Sequence, residues 1–395
     1  MTKLVLPYPV IAAGHVCLDI IPAITGASFG LVPGKLVNVG EAMLSTGGSV
    51  PNTGLALHRL GVPVRLMGKV GGDAFGEAIL TAIRQEHQGL ADGMIVAPGE
   101  ASSYSIVISP PGVDRMFLHC TGANDTFGAD DVGSEELEAA GLFHYGYPPL
   151  MRRMYEKEGA ELARLMQQAK AAGVTTSLDM AKPDPDGPSG QVNWRRLLEA
   201  VLPSVDLFLP SLEELLYMLR RSTYEDMVRS YGAEGLIDQV DGELLHGLAG
   251  ELLAMGAAIA VIKLGEHGLY MRTTDSAARL AETGRYAPAS PESWQSRELY
   301  APCFQVAVAG TTGAGDCTIA GFLAAFILGC GPEDTIIGAV GTGACNVERQ
   351  DAISGIPAWE DVRQRVVSGW RQHEPRLRLP DYKPDDKSGA TIYRR

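Results

Sequence analysis

The sequence predicts an α/β fold in which helices cover both faces of a mostly parallel central sheet, with a small β-sheet standing apart as a lid. Two observations carry this prediction. Apolar runs typical of buried strands alternate with helical patterns along most of the 395 residues. The alternation breaks once, at 102-SSYSIVISPPGVDRMFLHC-120, where two apolar runs flank PPGVD and predict a β-hairpin.

The first part of the chain supplies a strand, half of the lid and a glycine-rich loop. Residues 9–20 (PVIAAGHVCLDI) are predicted to form one buried strand that ends at an acid. The Gly- and Pro-rich segment at about 21–46 is assigned to the lid, together with the hairpin at about 100–122. The stretch 47-GGSVPNTGLALHRLG-61 predicts a glycine-rich loop, a helix and a glycine stop.

Strand–helix alternation continues on both sides of the hairpin. Strands are predicted at 64–70, 174–179, 205–209 and 258–263, and helices at 74–82, 153–172, 194–200, 211–220, 316–329 and 333–347. The polar stretch 221–250 has a loose helical pattern without an assigned role. The globular domain is placed at 1–375, and the polar, Pro-containing residues 376–395 are predicted to be a peripheral or disordered tail.

Composition and charge exclude several classes of function. A net charge of −14 argues against a nucleic-acid surface, which requires clustered Lys and Arg. The six cysteines form no CxxC and no zinc-ligand spacing, which indicates a reducing compartment. No signal peptide is recognisable, and the longest apolar run, Cys317 to Cys330, is too short to span a bilayer. We therefore expect a cytoplasmic protein that binds neither nucleic acid nor membrane.

The clearest functional signal is 310-GTTGAGDCTIAGFLAAFILG-329. Glycines before an apolar helix leave backbone N–H groups free, and the helix N-terminus adds a partial positive charge, so the loop is suited to an anion such as phosphate. Asp316 is unexpected at such a place. It is either a helix cap or a group with a chemical task, accepting the proton of an attacking hydroxyl. The three consecutive small residues before it favour the chemical task.

With its neighbours, this motif resembles the signatures of the ribokinase-like (PfkB-type) carbohydrate kinases. The N-terminal signature is present as 47-GGSVPNTGLALHRLG-61 and 68-GKVGGDAFG-76, and the C-terminal one as 310-GTTGAGD-316. The resemblance extends over nearly the whole chain. It implies a ribokinase-like three-layer sandwich with a β-sheet lid, and ATP-dependent phosphorylation of a hydroxyl group on a sugar or sugar-like substrate.

Roles for individual residues follow from this resemblance. Asp316 would be the general base, and the backbone amides from Gly313 to Asp316, which include those of Ala314 and Gly315, would form the anion hole. Asp19, Gly48 and Asn52 match substrate-binding positions. Arg115, on the lid hairpin, is a further candidate for contact with the substrate.

On the nucleotide side, the resemblance implies contacts to ATP from Lys263, Gly265 and Gly268 in 262-IKLGEHG-268, and from Thr312. Glu214 in 211-SLEE-214 would organise Mg²⁺ through water, although the family's asparagine is replaced here by Ser211.

Two further departures concern the monovalent cation site of many relatives. Gly310 stands where they carry an aspartate, and Asp351 stands where glycine is common, in 347-VERQDAISGIP-357. The requirement for K⁺ is therefore an open question at this stage.

Two other functions are compatible with the sequence. A nucleoside kinase on the same fold would need an aromatic slot, for which Phe29, Tyr104 and Phe117 are candidates. A non-catalytic sugar- or nucleotide-binding protein would explain Ser211 and Gly310, but it would not need Asp316. A lid sheet with an uncovered edge also predicts a homodimer formed through the lid.

Overall fold

The computed structural model describes residues 6–24, 33–110 and 116–395, so Phe29 and Arg115 lie outside the described residues. The described strands form three sheets. They are β1 (Val10–Gly14), β2 (Cys17–Pro22), β3 (Ala42–Gly47), β4 (Val64–Met67), β5 (Lys69–Gly71), β6 (Ile95–Ala97), β7 (Tyr104–Ile108), β8 (Met116–Cys120), β9 (Leu142–Gly146), β10 (Thr175–Leu178), β11 (Leu207–Phe208), β12 (Ile259–Lys263), β13 (Leu269–Thr273), β14 (Glu298–Ala301), β15 (Lys383–Lys387) and β16 (Ala390–Arg394).

The described helices pack on the two faces of the largest sheet or connect its strands. They are α1 (Ser49–Arg59), α2 (Ala74–Glu86), α3 (Ser134–Ala139), α4 (Arg152–Tyr155), α5 (Ala160–Ala171), α6 (Trp194–Val201), α7 (Leu212–Leu219), α8 (Arg221–Gly235), α9 (Gly242–Ala254), α10 (Ala277–Ala281), α11 (Pro291–Trp294), α12 (Ala314–Ile327), α13 (Pro332–Asn346) and α14 (Trp359–Val367). The loosely patterned 221–250 stretch thus supplies α8 and most of α9.

The largest sheet has the strand order β15-β16-β14-β13-β12-β11-β10-β9-β1-β4. In this sheet, the neighbouring strands β12, β11, β10, β9, β1 and β4 are parallel. The four strands at the other end, β13, β14, β16 and β15, pair in antiparallel fashion. Parallel strands covered on both faces are expected to be continuously apolar. Strand β1 fits this rule, since all five of its residues are buried. The predicted mostly parallel sheet is therefore present.

A separate four-stranded sheet, β3-β2-β7-β8, contains the predicted hairpin as its antiparallel pair β7 and β8. The prediction of one strand over 9–20 was wrong, because β1 belongs to the large sheet and β2 to the small one. Gly14 lies at this break with φ 126°, and a Cβ there would fall 2.3 Å from the Gly146 carbonyl oxygen. Periodicity did not reveal the break because both pieces are apolar. The strand predicted at 64–70 is likewise divided between two sheets.

Helix α12 is buried along nearly its whole length, which explains its apolar composition on all sides. It packs against α13 and α1, and buried aromatic and aliphatic side chains such as Phe322 and Ile336 fill the space around it. Contact between α1 and α12 joins the two sequence signatures: Asn52 and Asp316 come together although 264 positions separate them. The core therefore fixes the position of the candidate site.

The prediction of a peripheral or disordered tail at 376–395 was wrong. Strand β16 pairs with β14, and β15 forms the edge of the large sheet. Ala390 and Ile392 of β16 are buried in the core. The segment looks polar because β15 is an exposed edge strand and because the apolar residues of β16 alternate with polar ones.

Ile392→Ala tests this correction. Ile392 has no exposed surface, so we expect a loss of about 3 kcal/mol in the free energy of unfolding, as for other large-to-small changes in a core. Urea denaturation measures the loss, with the exposed Lys387→Ala as the control on β15. Equal stability of the two variants would mean that the C-terminal segment does not belong to the core.

Candidate active site

Asp316 lies in the first turn of α12, and its side chain is almost fully buried. The Asn52 amide donates to Oδ2 at 2.9 Å, and the Tyr147 hydroxyl lies 2.9 Å from both carboxylate oxygens. Thr53 Oγ1 is 3.5 Å from Oδ1. Two separate parts of the chain, α1 and the residue after β9, thus direct hydrogen-bond donors at this one carboxylate.

Two opposing influences set the pKa of Asp316. Burial is the larger and raises the pKa above its usual value, because the charged form loses its hydration. The nearby Lys263 ammonium lowers it, as do the hydrogen bonds from Asn52 and Tyr147. The net result is a raised pKa, which favours a group that can accept a proton near neutral pH.

Lys263, at the end of β12, lies among buried carboxylates. Its Nζ donates to Asp179 Oδ1 at 2.6 Å, and the charges of Glu214 and Asp316 act on it as well. Burial alone would lower the pKa of Lys263, but Asp179 and Glu214 raise it above its usual value, so the ammonium stays charged. Burial raises the pKa values of Asp179 and Glu214. One lysine therefore stabilises three carboxyl groups.

The glycine-rich loop reaches the same point. Gly313 caps α12 with φ 71°, and Ala314 N–H makes a long hydrogen bond of 3.3 Å to the Thr311 carbonyl. Gly315 is exposed, and the nearest heavy atoms to an added Cβ there would be those of the Lys263 side chain, at 3.6 Å or more. Thr312 is half-buried beside them. The loop thus faces the lysine and leaves room for a group to approach its backbone.

Ser211 and Glu214 form a capping box at the start of α7. Glu214 Oε2 accepts from Ser211 N–H at 2.6 Å, and Ser211 Oγ accepts from Glu214 N–H at 3.3 Å. This pairing gives a structural reason for serine at the position where relatives carry asparagine. It also holds the Glu214 carboxyl in the buried cluster around Lys263.

Of the predicted substrate-binding residues that the structure describes, Asn52 contacts the Asp316 carboxylate, and Asp19 and Gly48 lie where the lid meets the body. Asp19 is on lid strand β2, and its carboxylate lies against Gly47. Gly48 packs against His15, at the junction of β1 and β2. His15 Nε2 is 3.3 Å from Nε2 of His119 on β8, and His119 Nδ1 is 2.9 Å from Ser105 Oγ. A polar contact thus links the lid to the body.

The predicted nucleotide hairpin lies between β12 and β13. Gly265 is beside open space, whereas Gly268 packs so closely on β14 that an added Cβ would lie 2.1 Å from the Ala301 carbonyl oxygen. Glycine at 268 is therefore required by packing. Lys263, the third residue predicted to contact ATP from this segment, donates a hydrogen bond to Asp179 in the buried cluster.

The resemblance links Gly310 and Asp351 to a monovalent cation site, but in this structure both residues make contacts within the protein. Asp351 Oδ1 accepts from the N–H groups of Ile353 and Ser354, at 3.0 and 2.6 Å. Gly310 packs against the same loop, and a Cβ there would lie 2.9 Å from Gln350 Cα. An aspartate at 310 does not fit unless this loop moves.

Sequence reasoning missed Tyr147, Asp179 and Thr53. Tyr147 follows β9 and Asp179 follows β10, so both lie at the carboxyl ends of neighbouring parallel strands. That edge of an α/β sheet is where ligands bind. The strand β9 before Tyr147 was not predicted, and Asp179 was counted as the last residue of a predicted strand. The available signal was therefore a polar residue at the end of an apolar run.

Comparison with known proteins identifies the class. The profile of the "pfkB family carbohydrate kinase" matches residues 10–359, and the chain belongs to this family. Fructokinase-1 of Zea mays is 27% identical over 222 residues, which is 55% of this chain and 65% of that protein. The chain spans only 60–65% of the length of the first curated relatives that it matches.

Solved structures share the fold. A crystal structure of fructokinase with bound ATP from Xylella fastidiosa has a TM-score of 0.67 at 19% identity, over 92% of this chain and 99% of that one. A ribokinase from Arabidopsis thaliana complexed with ribose and ATP has a TM-score of 0.65 at 18% identity, over 91% and 98%. The predicted ribokinase-like fold is confirmed.

Within the described residues, no helix is both long and apolar enough to cross a membrane.

Lys263→Met tests whether the Lys263 ammonium stabilises the folded protein by pairing with the buried carboxyl groups around it. Removing one partner of a buried ion pair leaves an uncompensated charge, and we expect a loss of about 3–5 kcal/mol in unfolding free energy. Lys182→Met is the matched control, because its 2.7 Å pair with Glu213 is largely exposed and should contribute at most about 1 kcal/mol. Equal losses in chemical denaturation would contradict the stabilising role of Lys263.

Proposed function

We propose that this protein is an ATP-dependent kinase that phosphorylates a hydroxyl group of a sugar or sugar-like substrate. The observation that carries the proposal is the Asp316 carboxylate, buried at the N-terminus of α12, hydrogen-bonded by Asn52 and close to Lys263. Family membership and the sugar kinases of the same fold support it. A protein that only binds its ligand would have no use for a buried carboxylate at an anion-binding helix terminus.

Asp316 acts as general base in this proposal. Its raised pKa lets it take the proton of the substrate hydroxyl as that oxygen attacks. ATP, when bound, supplies the phosphoryl group that is transferred. Backbone N–H groups in the first turn of α12 have no intrahelical acceptor, so those of Gly315 and Asp316 donate to the charged oxygens of that group. The ammonium of Lys263 adds positive charge beside Gly315.

The carboxyl groups around Lys263 fit Mg²⁺. Within the described residues, Asp179 Oδ2 is buried without a hydrogen-bond partner, and the Glu214 carboxyl is nearly buried next to it in the same cluster. Carboxylate oxygens and water are the ligands that Mg²⁺ prefers, with the remaining positions taken by substrate phosphates. No group of three protein ligands is found in the described part of the chain, which agrees with a metal held mainly through phosphate and water. Glu214 and Asp179 would therefore hold the ion through water.

The residues present do not fit a monovalent cation site in the loop at 347–357. The Asp351 carboxylate accepts hydrogen bonds from N–H groups of its own loop, and Gly310 has no side chain that could act as a ligand. We therefore propose that activity does not depend on K⁺.

Three polar side chains lie where the lid meets the body, and this favours a sugar over a nucleoside as the substrate. Asp19, His15 and His119 lie between lid and body. Of the candidate aromatics, Tyr104 packs edge-to-face on Phe75 instead of standing free as one wall of a slot.

The lid also supports the proposal of a homodimer. Its edge strands β3 and β8 carry exposed apolar side chains, namely Met43, Leu44, Met116, Phe117 and Leu118. Such a surface is suited to pairing with the same surface of a second copy of the chain.

The six free cysteines are in keeping with a cytoplasmic location, which stays a prediction.

Asp316→Asn tests the general base. The amide cannot accept the proton, so we expect phosphorylation to fall by roughly 10²–10⁴-fold while ATP binding persists. ADP release with D-fructose, D-ribose and adenosine as acceptors measures turnover, and calorimetry measures ATP binding. Asp361→Asn, at an exposed position in α14, is the control.

Each outcome separates the candidate functions. Turnover with the sugars supports the proposal, and preferential turnover with adenosine indicates a nucleoside kinase. ATP binding without ADP release from the unmodified protein indicates a non-catalytic binding protein. Near-normal turnover of Asp316→Asn would remove Asp316 from the mechanism.

Cation dependence is tested by exchanging K⁺ for tetramethylammonium at constant ionic strength. We expect unchanged turnover, because the Asp351 carboxylate is engaged in hydrogen bonds within the loop and Gly310 has no side-chain oxygen. A marked loss on removing K⁺ would show that the loop around Asp351 rearranges to bind the ion.

A further inference from the structure

Tyr147 has an unusual backbone conformation. It directly follows β9, with φ 67° and ψ 42°, in the left-handed region that residues with a Cβ adopt only at a cost. Such conformations persist when surrounding contacts enforce them, and they concentrate at functional sites. The two prolines that follow, Pro148 and Pro149, are buried and fix the chain immediately beyond it.

This conformation places the phenol over the Asp316 carboxylate. The hydroxyl oxygen is 2.9 Å from both Oδ1 and Oδ2, so its hydrogen is shared between them. Burial and the charge of Asp316 raise the pKa of Tyr147 well above its usual value, so the phenol remains a donor. The ring of His15 lies 6.1 Å from the Tyr147 ring, centroid to centroid.

We propose that Tyr147 is a positioning residue that fixes the orientation of the Asp316 carboxylate for the phosphoryl transfer proposed above, on which this inference rests. With Asn52 donating to Oδ2, the phenol holds the plane of the carboxylate between two donors. Hydrogen bonds to the ionised form keep Asp316 able to accept a proton in spite of its burial. Rigid support of a catalytic group by neighbouring side chains is a common requirement for efficient chemistry.

Other groups also act on Asp316 and must be held constant in any pH experiment. They are Lys263 at the end of β12, Asp179 after β10, Glu214 on α7, and Thr53 and Cys317 on α1 and α12, while His15 lies beside the Tyr147 ring. All of them are present in both proteins when a variant is changed only at position 147. The difference between the two pH profiles therefore reports the phenol hydroxyl.

Tyr147→Phe removes only that hydroxyl. With MgATP and D-fructose or D-ribose, we expect kcat to fall about tenfold. We also expect the acidic limb of the kcat/KM profile to move up by about one pH unit, because a hydrogen bond to the charged form of Asp316 is lost. Tyr145→Phe is the matched control: Tyr145 lies on β9, two residues before Tyr147, and its hydroxyl contacts Met151 Sδ at 3.1 Å, so its loss should leave the profile unchanged.

A second substitution keeps the ring and its hydroxyl in place. Incorporation of 3-fluorotyrosine at 147 makes the phenol a stronger donor, and we expect the acidic limb to move down. An unmoved limb in both variants, even with reduced kcat, would assign Tyr147 a structural role and overturn the proposal. An increase in kcat for Tyr147→Phe would also overturn it, because the phenol would then compete with the substrate hydroxyl.

A readout without turnover separates this inference from the proposed function. In protein labelled with ¹³C at aspartate carboxyl groups, the Asp316 resonance is assigned by its absence from Asp316→Asn. We expect its titration midpoint to rise in Tyr147→Phe. Absence of turnover with every acceptor would contradict the kinase proposal alone, whereas an unchanged midpoint would contradict the role of Tyr147.

Discussion

Taking the charge of Asp316 out of water is costly, and the elements around it are arranged to offset that cost. Helix α12 contributes its N-terminal dipole, α1 brings Asn52, the end of β9 brings Tyr147, and β12 brings the Lys263 ammonium. Each of these donors comes from a different part of the sequence. The packing of α1 on α12 and the order of the parallel strands are the conditions under which they converge.

The sequence was most informative where function depends on a local motif. The glycine-rich approach to α12 drew attention to Asp316, the proposed general base, because an acid at a helix terminus suited to anions has few structural explanations. Tyr147 and Asp179 could not be predicted in this way. Each is a single residue after a strand, and its meaning depends on which strands are neighbours, which only the folded sheet shows.

The errors in the predicted secondary structure have similar causes. Helices such as α12 were located well because their apolar runs are long. The division of 9–20 into β1 and β2 was missed because hydrophobicity reports burial but not which sheet buries a strand. The C-terminal hairpin was missed because an edge strand exposes one side and resembles a polar tail. Ser211 and Asp351, which depart from the pattern of the family, make local hydrogen bonds at the start of α7 and in the loop at 347–357.

The connection between β1 and β2 is only two residues long. Lid strand β2 thus directly continues body strand β1, and His15 lies in the connection between them. Tilting the small sheet must therefore displace the His15 ring and its contact with His119 at the same time. A change in the angle between the two sheets would therefore be felt directly by the residues around His15, including Gly48 and Tyr147.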